Sequence, residues 1–332
     1  MRKNSPVATD DVPAALDREL LGGERRYTRV EVADLAGVPV EQARILWRAL
    51  GFADVGDDNV AFTDQDVQAL RAVEGLVQRG VIDSSTQLAM TRAMGQSLAR
   101  LADWHVSAIT KVLDPEQPTA AEDAAAVAHE LVPVVEGLIG YIWRRHLAAT
   151  AERALSDDRT SPSTSLVVGF ADLVGFTSLT RDVGEAELAG VVETFEALAS
   201  DVITQHSGRV VKTLGDEVMF TADNPGQGAE IALDLAERVE AATGVPDVRV
   251  GLACGPVLAR LGDVYGEPVN IASRLTSIAR PASILVDREL AGELAEDERF
   301  SLRRVPPRPV RGYALLHASR LRRAEPDAAT DD

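Results

Sequence analysis

Two aspartates, Asp172 and Asp216, have the type and setting that suggest chemistry. Each stands where an apolar run meets a turn. Leu166 to Phe170 delivers Asp172, and Leu173-Val174-Gly175-Phe176-Thr177 follows. Val210-Val211-Lys212 and Val218-Met219-Phe220 flank Gly215-Asp216. Glycine beside aspartate between two short β-rich runs suits a tight hairpin. Free backbone N–H groups in the turn at Gly175, Phe176 and Thr177 can hold phosphate. Two carboxylates on neighbouring strand ends can hold divalent metals, with a phosphate-rich substrate supplying the other ligands. Asp and Gly are also common at strand ends because turns favour them, so either stretch alone reads equally well as a turn.

A third stretch runs from Gly262 to Leu275. Asn270 and Arg274 are four apart on a predicted helix and share one face. Asp263 precedes that helix in a loop. Taken singly, the polar pair also reads as a solvated helix face.

The three stretches together, in this order and spacing, resemble the catalytic domain of class III nucleotidyl cyclases, from about Ser165 to Leu321. The resemblance implies a ferredoxin-like α+β domain and the following roles. Asp172 and Asp216, helped by the carbonyl of Leu173, hold two Mg²⁺ or Mn²⁺ ions per site. One ion activates the ribose 3′-OH and the other assists departure of pyrophosphate. Arg274 stabilises charge on the α-phosphate, and Asn270 orients the ribose. Gly175, Phe176 and Thr177 contact substrate, and Arg311 in Val310-Arg311-Gly312-Tyr313 is the candidate triphosphate residue, in a proline-rich setting. Lys212 and Asp263 choose the base. Adenine offers an acceptor at N1 and a donor at N6, which a lysine donor and an aspartate acceptor complement. Guanine offers the reverse. The pair therefore implies ATP as substrate and cyclic AMP as product. In this family each site is shared between two domains. One chain carrying both half-sets implies a homodimer that is inactive as a monomer. A guanylate cyclase is the nearest alternative.

The elements that must position these residues divide the chain. From Ser165 onward, short Val/Ile/Leu-rich strands alternate with helices: strands at Ser165–Ala171, Arg209–Thr213, Val218–Ala222, Val248–Ala253, Pro256–Leu261 and Ile284–Val286, helices at Glu185–His206, Gly226–Ala242 and Val269–Ala279, and a last hairpin to His317. This predicts an α+β sandwich around βαβ units. Residues 322–332 read as a disordered tail. Ser156 to Ser165 reads as a linker, which divides an all-α region over 1–158 from a catalytic domain over 159–321.

In the first region, residues 1–14 read as frayed. Thr28 with Glu31, and Thr63 with Asp66, predict capping boxes. Gly37, Pro39 and Gly51 punctuate two short helices. Helix–turn–helix, a short extended piece at Asn59 to Phe62 and another helix resemble the start of the MerR-type DNA-binding fold. The alternative this raises is a DNA-binding regulator with a nucleotide-sensing cyclase-like domain. Arg25, Arg26, Arg29, Arg44 and Arg48 form the local basic cluster that such a role needs. Long helical patterns follow from Ser84 to about Ala154, broken at Asp114 to Pro118. His105, His129 and His146 lie in them and allow either a pH-sensing role or ordinary packing. The resemblance extends more loosely here, to regulatory regions of actinobacterial cyclases.

Composition narrows the function classes. The 332 residues hold 34 Lys and Arg against 52 Asp and Glu, a net charge of −18. That opposes non-specific nucleic-acid or anionic-membrane binding and requires any polyanion site to gather its cations locally. The one cysteine, Cys254, excludes an intramolecular disulfide, suits a reducing cytosol and reads as a small buried residue. No secretory signal is apparent, and the apolar stretch Leu131 to Trp143 is expected to be a buried helix too short to span a bilayer. A cytoplasmic protein without a transmembrane segment is the resulting expectation.

Overall fold

The structure, a computed structural model, describes residues 12–110, 120–156, 164–260 and 262–324. The chain forms two compact units, Met1–Asp158 and Arg159–Asp332. The breaker at Asp114 to Pro118, most of the expected linker and the last eight residues lie outside the described residues. Of that linker, Ser156 ends a helix, while Thr164 and Ser165 begin a strand.

The first unit contains α1 (Val12–Leu21), α2 (Arg29–Ala36), α3 (Val40–Leu50), α4 (Asp64–Gln78), α5 (Ser84–Thr110) and α6 (Ala120–Ser156). Both capping boxes form. Thr28 and Thr63 accept backbone N–H bonds, while Glu31 and Asp66 reach back to the cap backbone at 2.8 Å each. Pro39 sits one place before its expected position, as the N-cap of α3. Val32, Leu46, Trp47, Phe62 and Leu70 form the small core of this region, and Tyr27 bridges Phe62.

The stretch Leu131 to Trp143 does not form a short buried helix. It lies inside the 37 residues of α6, and Tyr141 and Trp143 are 57% and 61% exposed. Within its unit α6 packs chiefly against the ten-residue α1. By length and composition alone, Ala124–Glu152 is long and apolar enough to cross a membrane.

The second unit contains β1 (Thr164–Leu173), α7 (Phe176–Asp182), α8 (Glu185–Gln205), β2 (Arg209–Leu214), β3 (Glu217–Ala222), α9 (Pro225–Ala241), β4 (Val248–Arg260), β5 (Asp263–Tyr265), α10 (Glu267–Ile278), β6 (Ser283–Val286), α11 (Arg288–Glu293), β7 (Phe300–Val310) and β8 (Tyr313–Arg323). The sheet order is β2-β3-β1-β4-β6-β8-β7, with β5 paired to β4. The first four strands with α8 and α9 make the split βαβ arrangement of a ferredoxin-like fold. Among the described strands only β4 and β6 pair in parallel; the expected βαβ units are present as the split units β1-α8-β2 and β3-α9-β4, and α10 lies in the crossover from β4 to β6.

Three boundaries differ from the sequence expectation. Val248–Ala253 and Pro256–Leu261 are one strand, because β4 pairs along its length first with β1 and then with β5. Helix α11 was not expected; Asp287 caps it, accepting from the Leu290 N–H at 2.9 Å. The last hairpin passes His317, and Arg322 and Arg323 belong to β8 instead of a disordered tail. Arg323 pairs there with Glu230, Asp234 and Glu237.

Alternation along the strands separates the two faces. Val167, Ala171, Val250 and Leu252 join the larger core with α8 and α9 residues such as Phe195 and Leu235. Val168, Phe170, Met219 and Ala253 face Ala272 of α10. Gly251 allows α10 to sit close on β4: a methyl group there would collide with the backbone of Ala272 and Thr276.

Candidate active site

The register of three strands builds the first half of the site. Asp172 is the penultimate residue of β1, opposite Glu217 of β3 on one side and Arg249 of β4 on the other. Leu173, fully buried, donates its N–H to the Asp216 carbonyl at 3.0 Å. That bond ties the end of β1 to the β2–β3 turn, where Gly215 takes a left-handed φ of 70°. Asp172, Leu173 and Asp216 therefore meet at one end of the sheet.

Arg249 was not identified in the sequence. Its Nε donates to Asp172 Oδ2 at 2.6 Å, and its Nη1 to the Ser277 carbonyl at 3.4 Å. A lone arginine near a strand start carries no signal without the register that sets it beside Asp172. Glu217 was missed for the same reason.

This end of the sheet holds more negative charge than it neutralises. Burial raises the Asp172 carboxyl above its ordinary value despite the adjacent guanidinium, and Asp216 pushes it the same way. Burial, reinforced by Asp172 and Asp216, raises Glu217 to about 7. A bound cation would relieve that repulsion. Among the described residues no three Asp, Glu, His or Cys side chains converge as a metal cluster. Two carboxylates and backbone carbonyls still suit Mg²⁺ or Mn²⁺, which are commonly held by one or two protein carboxylates while substrate phosphates supply further ligands.

The Gly175 turn follows directly. Gly175, at φ 74°, precedes α7, and Phe176 and Thr177 open that helix with no side-chain cap. Phe176 also packs against the main core.

The second half-set lies on β2, β5 and α10. Lys212 Nζ donates to Asp263 Oδ2 at 2.7 Å. The pair is partly buried, with 35% and 28% of the two side chains exposed. Burial alone would raise Asp263, but the Lys212 bond and the Val264 N–H outweigh it, and the carboxyl lies below its ordinary value. Asn270 is exposed on the first turn of α10, its Nδ2 directed at the Gly266 carbonyl at 3.5 Å. Arg274 lies one turn on. Val310, at the end of β7, packs against the same apolar cluster as Ile271 and Ile278 of α10, and Arg311 follows it in the β7–β8 turn. No hydrogen bond or ion pair among the described residues joins Asp172 or Asp216 to Lys212, Asp263, Asn270 or Arg274.

The arginines that a DNA-binding reading needs are already neutralised. Arg25 pairs with Asp17, Arg26 with Asp64, Arg48 with Asp54, and Arg44 with Glu41 and Asp57. Arg29 is 4% exposed and pairs with Asp54 and Asp57.

Residues 159–320 match the family model for the adenylate and guanylate cyclase catalytic domain. An adenylate cyclase of Streptomyces coelicolor is 41% identical, over 92% of this chain and 88% of its own. One from Glutamicibacter nicotianae is 37% identical, over 97% and 85%. A "pH-sensitive adenylate cyclase" of Mycobacterium tuberculosis is 30% identical, over 89% and 78%. Among solved structures, the adenylyl cyclase CyaB from P. aeruginosa superposes with a TM-score of 0.44 at 19% identity, over 50% of this chain and 97% of that one. Similarity that runs through both units of the chain leaves one conclusion: it belongs to the class III adenylate and guanylate cyclases.

Proposed function

We propose that this chain is an adenylate cyclase that converts ATP to cyclic AMP and pyrophosphate in a homodimer with two composite sites. The observation that carries the choice of base is the Lys212–Asp263 pair, one donor and one acceptor held 2.7 Å apart. That arrangement complements adenine and opposes guanine. One chain carries both half-sets, so two copies related by a two-fold axis would supply two complete sites.

Asp172 and Asp216, with the Leu173 carbonyl, would hold two Mg²⁺ or Mn²⁺ ions, which supply Lewis-acid activation of the 3′-OH and charge neutralisation at the leaving phosphates. The chain's own groups do the rest. Lys212 and Asp263 read the base edge. Asn270 orients the ribose, and Arg274 meets the negative charge gathering on the α-phosphate. The N–H groups at Gly175, Phe176 and Thr177 face the phosphates. Arg311, at a hairpin tip beside α10, reaches the triphosphate. Arg249, which donates to Asp172 at 2.6 Å, would hold that carboxylate in place beside the metal site.

The helical unit is a regulator in this reading. Deleting residues 1–158 should change either the rate or its pH dependence; a profile identical to the full chain excludes regulation. The DNA-binding alternative loses its basic cluster to ion pairs.

The decisive experiment is cyclic nucleotide formation by the purified full chain, with ATP and GTP in parallel, each with Mn²⁺ and with Mg²⁺, and Asp172→Ala as the blank. Cyclic AMP that disappears in the variant is the expected result. Cyclic GMP from GTP, with no cyclic AMP from ATP, would overturn the base assignment, and product persisting in Asp172→Ala would overturn the metal role.

A further inference from the structure

We infer that the outer edge of the sheet carries a second oxyanion site, separate from Asp172 and Asp216, suited to a multiply charged phosphate-type anion. Arg280, Arg303, Arg304, Arg308 and Arg320 line one shallow cavity of about 310 Å³, with Ser283 at its wall. No aspartate or glutamate lines that cavity. None of these five arginines has an ion-pair partner among the described residues.

What sets this cluster apart is the gathering of several arginines around one cavity with no acidic residue in its lining. Acidic residues outnumber basic ones 52 to 34, and several buried or half-buried arginines do find carboxylates: Arg29 pairs with Asp54 and Asp57, Arg249 with Asp172, and Arg323 with Glu230, Asp234 and Glu237. Here the register sets Arg303 of β7 directly opposite Arg320 of β8. Like charges at opposed positions weaken a ladder. Arg320 in turn is opposite Leu285 of β6, which packs with Leu316, Ala318 and Val305 in an apolar cluster of its own. Arg303 and Arg320 share the face of that apolar cluster, whereas Arg304, the next residue along β7, falls on the opposite face and also lines the cavity beside α11.

Each guanidinium presents paired N–H donors that match two oxygens of one phosphate. Several such forks around one small cavity suit an anion with adjacent phosphates, where a single phosphate would leave donors unused. The cavity's near wall approaches the catalytic end, since Ser283 is opposite Arg249 in the register, while its arginines on β7 and β8 lie further out. Strands β1, β4, β6 and β8 are successive neighbours, so β8 lies about 14 Å from β1 at ordinary strand spacing.

The test is calorimetric titration of inorganic triphosphate into the full chain at low ionic strength with EDTA present. It is run on the wild type, on R303Q/R320Q, and on Arg274→Ala, which removes a catalytic-site cation instead. The expected result is one binding event weakened at least tenfold in R303Q/R320Q and retained in Arg274→Ala. Triphosphate should also raise the Tm of the wild type and not that of R303Q/R320Q. The unliganded variant should melt no lower than the wild type, because it loses a repulsion; should it melt lower, R308Q replaces it in the same titration. An isotherm unchanged in the arginine variants, or binding abolished only by Arg274→Ala, overturns the inference. The arginines would then do no more than keep an edge strand from pairing. Binding is read without turnover, so an absence of cyclase activity would not bear on this result.

Discussion

Asp172 and Asp263 are both aspartates at strand ends of one sheet, yet their surroundings push them in opposite directions. Asp172 is 9% exposed and shares its neighbourhood with Asp216 and Glu217. Burial lifts its carboxyl even though Arg249 touches it. Asp263 is more open, and Lys212 and the Val264 N–H bring it below its ordinary value. One carboxylate lies in an environment with unneutralised negative charge and is ready for a cation. The other already accepts at both oxygens, from Lys212 and from the Val264 N–H, and each oxygen keeps one further lone pair for a ligand donor. Type and position in the fold do not separate these two residues. Desolvation and the sign of the neighbour do.

The sharpest way to break this comparison is to remove charge at the cation end. Asp216→Asn keeps the shape and the backbone bond from Leu173 but deletes one carboxylate. Loss of about 4 kcal/mol of transition-state stabilisation, roughly a thousandfold in kcat, is expected for a group that holds catalytic metal. Steady-state cyclic AMP formation with saturating Mn²⁺ reads it. A kcat within tenfold of the wild type would mean that Asp216 is only a turn residue.

At the other end, inverting the pair should change choice more than rate. Lys212→Glu with Asp263→Lys keeps an ion pair but exchanges donor and acceptor. The ratio of kcat/KM for ATP over GTP should fall by about two orders of magnitude, since a mismatched edge leaves buried polar groups unpaired. A drop in rate with both nucleotides and no change in their ratio would remove the pair from base recognition.

How much of this could be read from the chain follows the same division. Asp172, Asp216, Lys212, Asp263, Asn270 and Arg274 stand in three local stretches, each with its turn or helix spacing written beside it. The capping boxes at Thr28 and Thr63 were equally local, because a side chain three residues away completes each one. Arg249 and Glu217 were not legible. Both acquire meaning only from register, β4 and β3 sliding against β1 until each faces Asp172. The continuity of β4 was hidden for a related reason: Gly255 and Pro256 look like a break, and only pairing with β1 on one part and β5 on the other keeps the strand whole. The exposed face of α6 was misread because apolar periodicity reports that a surface needs covering, not that the same chain covers it.

Glu217 supplies a test of the strain at the cation end that does not depend on turnover. Its carboxyl titrates at about 7 in the fold, against about 4.3 in an unfolded chain. A raised folded value means that the protonated form is favoured by folding. The protein is therefore relatively stabilised below about pH 4 and loses that increment as pH rises through 7. Glu217→Gln should remove the loss. In EDTA it should gain about 2 kcal/mol over the wild type at pH 8 and little at pH 4, measured by urea unfolding at the two pH values. Saturating Mn²⁺ should shrink the difference, because the cation relieves the same repulsion.

Asp263→Asn is the counterpart, and its effect on stability should be the smallest. Its folded value is depressed, so any contribution is present above about pH 4 and is lost as pH falls through the folded value. The Lys212–Asp263 pair is open to solvent on one side, and exposed or half-exposed pairs contribute on the order of 0.5 kcal/mol or less, screened by salt. Urea unfolding at pH 7 should show Asp263→Asn within that margin of the wild type, converging further at 0.5 M NaCl. The pair is then retained for what it presents to a ligand and not for what it adds to the fold. A cost several times larger would reverse this assignment: Asp263 would be a structural carboxylate, and the contrast with Asp172 would reduce to a difference in burial.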